Sequence, residues 1–285
     1  MTQQTSFVLG LVGAGIGASL TPAMQEHEGS ACGLNLTYRR IDAGIEGFTS
    51  ADLPEVLGWA RRLGFDGLNI THPFKQAVIP LLDELTDDAH DLGAVNTVLM
   101  RDGRLVGTNT DWSGYGQAFR RELPDAVHDR VVLVGAGGAG SAVGYALLHQ
   151  GAEHVSVVDV DRERADGCVT RLAKVFGDER VAVAGDVAGA LADAQGLVNA
   201  TPIGMLGHEG MPIAADLLRP DLWVSDVIYF PLHTELVERA RELGCRVLPG
   251  GGMAVFQAAD AFAHFTGRTP DADRMIQYFS ELTAL

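Results

Sequence analysis

Three cysteines in 285 residues, Cys32, Cys168 and Cys245, are too few and too far apart to staple a fold, and their number is odd. This excludes a disulfide framework and points to a reducing compartment in which all three are packed thiols. Long apolar runs are missing too. No stretch of roughly 18 hydrophobic residues occurs, so no membrane-spanning helix is expected. The opening Met1-Thr2-Gln3-Gln4-Thr5 lacks the basic start and apolar core of a secretory leader, which makes the cytoplasm the expected location. Basic residues are scarce, 21 Lys and Arg against 37 Asp and Glu, for a formal net charge of −16. General nucleic-acid or anionic-membrane partners need basic surface and are excluded on that ground. An anionic ligand must instead be caught locally, by backbone N–H groups and a few placed hydroxyls or lysines. Metal spacing is absent as well: His208-Glu209 opens like a zincin helix, but Pro212 stands where the second His is required.

What is present is enough for two cores. The chain exceeds the length at which one hydrophobic core usually stops growing, and 47% hydrophobic with 20% charged residues excludes general disorder. Up to about residue 111, short apolar runs alternate with helical periods: runs at 7–12, 36–41 and 67–70, helices from Pro22, over 53–63 and from about Phe74. The runs 95–100 and 104–107 flank Asp102-Gly103 and read as a hairpin. A second α/β series opens at Arg130, with strands at 131–134, 155–158, 181–183, 196–199, 223–227 and 246–248. Helices are expected over 140–149, 164–175 and from about Met253. Such alternation predicts α/β lobes with mostly parallel sheets. No low-complexity linker separates the lobes, and residues 112–129 contain the boundary.

Two glycine loops compete for a dinucleotide. The run Val131-Val132-Leu133-Val134-Gly135-Ala136-Gly137-Gly138-Ala139-Gly140 places GxGxxG after a strand and at the mouth of a helix, the context the motif requires. Gly135 permits the tight turn, Gly137 admits a pyrophosphate to the backbone, and Gly140 allows close helix packing. The next strand ends in Asp159, an acid that accepts from a ribose diol and repels a 2′-phosphate, which favours NAD over NADP. Arg162 and Arg164 are the residues that would instead greet a phosphate. The earlier Gly13-Ala14-Gly15-Ile16-Gly17-Ala18 also fits such a loop. Its continuation, Ser19-Leu20-Thr21-Pro22, puts hydroxyls and a proline where a small apolar helix should follow, so it reads as a turn presenting Ser19 and Thr21.

Polar residues gather at predicted strand ends, where open α/β sheets hold ligands. In Asn69-Ile70-Thr71-His72-Pro73-Phe74-Lys75, Lys75 falls at an expected helix start, whose dipole and burial would pull the amine toward general-base range. A solvated lysine is the plainer alternative. Asp111 closes Gly107-Thr108-Asn109-Thr110-Asp111 and suits a substrate hydroxyl, Lys75, or a helix N-cap before Trp112. Asn96, in Gly93-Ala94-Val95-Asn96-Thr97, suits a polyhydroxy ligand or bridges backbone groups.

Together these three blocks resemble the shikimate dehydrogenase family. The likeness continues in order through the glycine fingerprint to Asn199-Ala200-Thr201-Pro202-Ile203-Gly204-Met205 and Gln257-Ala258-Ala259-Asp260-Ala261-Phe262. It implies a substrate-binding catalytic domain of residues 1–112 plus 253–285, facing an NAD-binding Rossmann domain of residues 113–252. Lys75 and Asp111 become the catalytic pair. Ser19 and Thr21 hold the substrate carboxylate, and Asn69, Thr71, Asn96, Tyr229 and Gln257 bind the rest. The cofactor set is Gly135, Ala136, Gly137, Gly138, Ala139, Gly140, Asp159, Arg164, Thr201 and Val227, with Gly250 and Met253 on the nicotinamide side. Two departures from the biosynthetic members stand out: Ser19-Leu20-Thr21 replaces Ser-x-Ser, and Asp159-Val160-Asp161-Arg162 replaces an Asn-Arg-Thr-like NADP signature. Both look like the NAD-dependent quinate/shikimate branch, which acts on a small cyclic polyhydroxy carboxylate. Other readings are an aminoshikimate-type or NADP-dependent shikimate enzyme, and a non-enzymatic dinucleotide sensor. Oligomeric state stays open, a homodimer included.

Overall fold

The computed structural model describes residues 5–284, so the opening segment apart from Thr5 lies outside them. Packing divides the chain into two compact units. One comprises residues up to Thr110 together with those from Val255 onward; the other is Asp111–Ala254. Each is α/β with one six-stranded sheet, the fold class expected. Among the described residues, no helix is long and apolar enough to cross a membrane.

The first unit runs β1 (Ser6–Gly13), α1 (Thr21–Ala31), β2 (Asn35–Asp42), α2 (Ala43–Glu46), α3 (Leu53–Arg62), β3 (Gly67–Ile70), β4 (Glu84–Leu85), α4 (Asp87–Leu92), β5 (Thr97–Arg101) and β6 (Arg104–Thr108). Its sheet has the order β2-β1-β3-β5-β6-β4. The three strands β2, β1 and β3 are parallel, and β5 runs antiparallel to β3 and β6. The hairpin has a local cause: Asp102 and Gly103 take φ of 51° and 76°, the left-handed pair that matches a two-residue turn to right-handed strand twist.

Both faces of this sheet are covered. Leu57, Leu68, Ile70, Phe74, Val98 and Leu105 pack together in one cluster. Leu9, Leu11, Tyr38 and Leu99 pack in another with Ala261 and Phe265 from α10 (Gly251–Thr266). Gly67 makes that return possible. A Cβ there would lie 2.3 Å from the Phe265 ring and 2.8 Å from the Val98 carbonyl oxygen. The last helix, α11 (Ala272–Thr283), is fixed to α1 by charge. The Glu28 side chain is fully buried and accepts from Arg274 Nη2 at 2.7 Å and Nε at 2.9 Å, and from the Asp271 N–H at 2.8 Å.

The second unit runs α5 (Asp111–Glu122), β7 (Arg130–Val134), α6 (Gly138–His149), β8 (His154–Val158), α7 (Arg162–Phe176), β9 (Val181–Val183), α8 (Val187–Leu191), β10 (Gly196–Asn199), β11 (Trp223–Asp226), α9 (Glu235–Glu242) and β12 (Arg246–Leu248). All six strands are parallel, in the order β12-β11-β10-β7-β8-β9. This is the doubly wound Rossmann order, and chain direction across the sheet reverses between β7 and β10. Valines and leucines fill these strands because helices cover both faces.

One expected element is absent, the helix from Phe74. A single helical bond forms there, Val78 N–H to the Phe74 carbonyl at 3.0 Å. The Lys75 carbonyl, which would take the next one, accepts instead from Val95 N–H at 2.9 Å, and Ile79 N–H turns to Gln76. The segment therefore breaks into turns and a 3-10 helix at Ile79–Leu81. With turns rather than a helix at Lys75, no helix dipole acts on its amine.

Removing the cation from a buried pair strands the anion, so Arg274→Met is expected to cost about 2 to 3 kcal/mol. This lies below the usual range of about 3 to 5 kcal/mol because the Arg274 side chain keeps 35% exposure. Urea unfolding should show a lower midpoint at unchanged m-value; a loss under about 0.5 kcal/mol would mean that the pair does not hold α11.

Candidate active site

The carboxyl end of β7 is shaped for an anion. Gly135 takes φ of 102°, and a Cβ on it would lie 2.7 Å from the backbone of Ala200. A Cβ on Gly140 would lie 1.9 Å from the Gly135 carbonyl oxygen, so only glycine lets α6 start this close to the strand. Gly137 differs: a Cβ there meets nothing within 4 Å. It is the N-cap of α6, and no side chain caps that helix, so the N–H groups of its first turn, Gly138 and Ala139 included, have no partner within the helix. Such a terminus, with its partial positive charge, fits the pyrophosphate of a dinucleotide.

Asp159 follows β8 with only 6% of its side chain exposed. It accepts from Ala136 N–H at 2.7 Å and Asp161 N–H at 2.9 Å, tying the glycine turn to the neighbouring strand end. The two arginines named as phosphate partners each lie beside an aspartate. Arg162 Nε lies 3.0 Å from Asp166, and Arg164 pairs with Asp161 at 3.5 Å and Asp159 at 3.9 Å. Farther along the same edge, Thr201 donates its hydroxyl to Asn199 Oδ1 at 2.7 Å, and Val227 N–H donates to the Asn199 carbonyl at 3.0 Å. Gly250 is glycine for a packing reason, since its Cβ would lie 2.4 Å from the Val227 carbonyl oxygen. Met253 is buried in the first turn of α10, and Tyr229 is half-buried after β11.

In the first unit the polar strand ends form one connected network. Asn69, 4% exposed, donates to Thr97 Oγ1 at 3.0 Å and to the Asn96 carbonyl at 3.3 Å, and accepts from the Tyr38 hydroxyl at 2.7 Å. Asn96 accepts from Thr97 Oγ1 and from Thr110 N–H, both at 2.8 Å, and donates to Thr110 Oγ1 at 3.0 Å. Thr110 Oγ1 donates in turn to the Gln257 carbonyl at 3.0 Å. Asn96 thus links one backbone N–H to two side-chain hydroxyls. Thr71 and Lys75 are half-buried on the segment after β3, while Asp111, 7% exposed, opens α5 in the second unit.

The first glycine loop is closed to phosphate by the protein itself. The Asp42 carboxylate accepts from Gly15 N–H at 3.0 Å, Ile16 N–H at 2.9 Å and Gly44 N–H at 2.9 Å. Burial works to raise this carboxyl, but the N–H groups of Gly15, Gly44, Ile16 and Ile45 outweigh it and hold the group below its ordinary range. An internal anion therefore occupies the donors that a dinucleotide would use. Past it, Ser19 Oγ accepts from Thr21 N–H at 3.4 Å, Arg40 donates to the Ser19 carbonyl at 2.8 Å, and both hydroxyl residues are half-buried where α1 begins. Sequence reasoning missed Asp42 and Tyr38. An acid closing a strand just before Ala43-Gly44 is an N-cap signal that could have exposed the first; a tyrosine on a strand carries no such mark.

Known proteins share this layout. Residues 11–98 match the family model described as the shikimate dehydrogenase substrate binding domain. A protein of Streptomyces avermitilis named shikimate dehydrogenase (NADP(+)) is 53% identical over 281 residues, 98% of this chain and 97% of its own. One of Corynebacterium efficiens named quinate/shikimate dehydrogenase (NAD(+)) is 49% identical over 280 residues, 97% and 99% of the two chains. The solved quinate dehydrogenase of Corynebacterium glutamicum in complex with NAD superposes with a TM-score of 0.91 at 47% identity, covering 97% of this chain and 99% of that one.

Asp42 is ionised in the fold over a pH range in which the unfolded chain binds a proton. Its contribution is complete above the unfolded value of about 3.9 and is lost as pH falls through the lower folded value. Asp42→Asn should accordingly lower the thermal midpoint at pH 7, and the gap to wild type should close below about pH 4. A gap that stays constant down to pH 2 would show that charge has no part in holding the loop.

Proposed function

Because this chain belongs to the shikimate dehydrogenase family, with full-length relatives near 50% identity, we propose that it oxidises a ring hydroxyl of quinate, shikimate or both to the 3-dehydro acid with NAD as acceptor. A shikimate/quinate dehydrogenase reaction and a nicotinamide dinucleotide follow from the family; the choice of NAD and the residue roles are our reading. Asp159 carries the NAD assignment. A 2′-phosphate would meet a carboxylate that is almost fully buried and already fixed by two backbone N–H groups, and like charges brought together this way cost several kcal/mol. Arg162 and Arg164, each within reach of an aspartate, offer that phosphate little relief. One observation favours a second reading, NADP-dependent shikimate oxidation: the Streptomyces avermitilis relative bears an NADP name.

When bound, the dinucleotide supplies the acceptor for the hydride leaving the ring carbon. Lys75 and Asp111 take the hydroxyl proton as that carbon becomes a carbonyl, Lys75 as the base. The hydroxyls of Ser19 and Thr21 bind the ring carboxylate, which lets a protein of charge −16 hold an anion through neutral donors. Asn69, Thr71, Asn96, Tyr229 and Gln257 bind the ring hydroxyls. Both asparagines have side-chain bonds within the protein, so they meet the ligand with their orientation already set.

Lys75→Ala should lower kcat by about 10²- to 10⁴-fold, the usual worth of an acid–base group, while NADH affinity measured by fluorescence changes little. A variant that keeps more than roughly a third of wild-type kcat removes Lys75 from the chemistry.

A grid of quinate and shikimate against NAD and NADP tests the cofactor. Wild type should show a kcat/KM for NAD at least about a hundredfold above that for NADP, a difference of roughly 3 kcal/mol, and Asp159→Ser should narrow the gap. Comparable use of both cofactors by wild type would overturn the role of Asp159 and support the second reading.

A further inference from the structure

One buried carboxylate ties together the loops that follow β10 and β11. Asp226, the last residue of β11, is 1% exposed. It accepts from Asn199 Nδ2 at 3.1 Å, from Ile228 N–H at 3.0 Å and from the Thr234 hydroxyl at 2.7 Å. Asn199, the last residue of β10, also donates to the Ile203 carbonyl at 3.0 Å and accepts from both the N–H and the hydroxyl of Thr201. Thr234 in turn caps α9, accepting from Val237 N–H at 3.3 Å. The path from Thr201 to α9 is continuous.

Burying a carboxylate is costly unless its lone pairs are filled, and burial does push the Asp226 carboxyl up against the pull of Thr234, Ile228 and Asn199. The sheet does not need this group, since β10 and β11 already pair from Gly196 with Trp223 to Asn199 with Asp226. What Asp226 adds lies beyond the strand ends. The loop after β10 packs against the glycine turn, with Ala200 backbone 2.7 Å from the position of a Gly135 Cβ. The loop after β11 packs equally closely on Gly250 through the Val227 and Ile228 carbonyls. Both loops thus lean on residues of the proposed dinucleotide site.

We propose that Asp226 is a positioning residue for dinucleotide binding: through Asn199 and Thr234 it fixes the loops at 200–204 and 227–233, and so sets Thr201 and Val227 against the cofactor. It rests on the reading of this sheet edge as the dinucleotide site, and Asp226 itself touches no ligand.

Thr234→Val removes the shortest of the bonds to Asp226, Thr234→Ser keeps it, and Asp226→Asn keeps the shape while turning one acceptor into a donor. The full-length proteins are titrated with NADH alone, followed by energy transfer from tryptophan, and thermal midpoints, KM and kcat are then measured. Thr234→Val and Asp226→Asn should weaken NADH binding by about fivefold or more, the worth of one buried hydrogen bond, with the KM for dinucleotide rising in parallel. kcat at saturating dinucleotide and ring acid should stay within about twofold, the KM for the ring acid should rise less than that for dinucleotide because only Tyr229 of its proposed ligands lies on these loops, and Thr234→Ser should match wild type. A lower thermal midpoint with unchanged NADH affinity, or equal damage to both KM values, would overturn the proposal. Should Asp226→Asn fail to fold, the Thr234 pair decides. Wild type that binds NADH but oxidises neither ring acid would sink the functional reading and leave this test intact. Wild type that does not bind NADH would end the proposal.

Discussion

Parallel strands leave backbone N–H groups unpaired at the turns beyond their carboxyl ends, and each has to find an acceptor. This chain meets that demand in two opposite ways. After β1, the Asp42 carboxylate takes the N–H groups of Gly15, Ile16 and Gly44, so the loop is filled from within. After β7, no side chain caps α6, and the space over Gly137 is open. The two loops have nearly the same glycine spacing. Only the second keeps donors for a ligand, and its other structural demands are met elsewhere: Asp159 holds the Ala136 N–H, and Gly140 admits the helix.

The same rule organises the polar strand ends of the first unit. Buried amides and hydroxyls are costly when unpaired, so Tyr38, Asn69, Thr97, Asn96 and Thr110 satisfy one another in a chain that ends on the Gln257 carbonyl. A satisfied network is also a rigid one. It joins three strands to a helix some 150 positions later in the sequence, which is how side chains from distant segments come to share one polar surface. Its members serve the fold first, and the ligand contacts proposed for Asn69 and Asn96 are what capacity the network leaves them.

Charge works locally rather than globally. At −16 the molecule as a whole repels anions, yet the dinucleotide and ring acid proposed for it are both anionic. The answer consistent with the structure is neutral donors: helix N–H groups at α6 and hydroxyls at the start of α1. Where carboxylates are buried they are occupied, Glu28 by Arg274, Asp42 and Asp159 by backbone, Asp226 by Asn199 and Thr234. Of these four, only Asp159 is proposed to meet a ligand.

The sequence by itself determined the α/β class, most of the strands, the hairpin at Asp102-Gly103 and the second glycine turn, because each follows from local pattern or local backbone freedom. It missed α2, α4, α8 and α9, which span eight residues at most and carry too few turns for a clear period, and it offered the twelve-residue α5 only as one alternative for Asp111, a cap before Trp112. It also placed a helix at Phe74 that the structure lacks, because Val95, twenty residues on, competes for the Lys75 carbonyl. Tertiary structure alone decided which glycine loop stays open, since the acceptor that closes the first lies on another strand. It also decided why Gly67 and Gly250 carry no side chain, one facing Phe265 and the other the Val227 carbonyl. Local sequence fixes what a segment is able to form; partners brought from far along the chain fix which of its donors, acceptors and spaces are left to use.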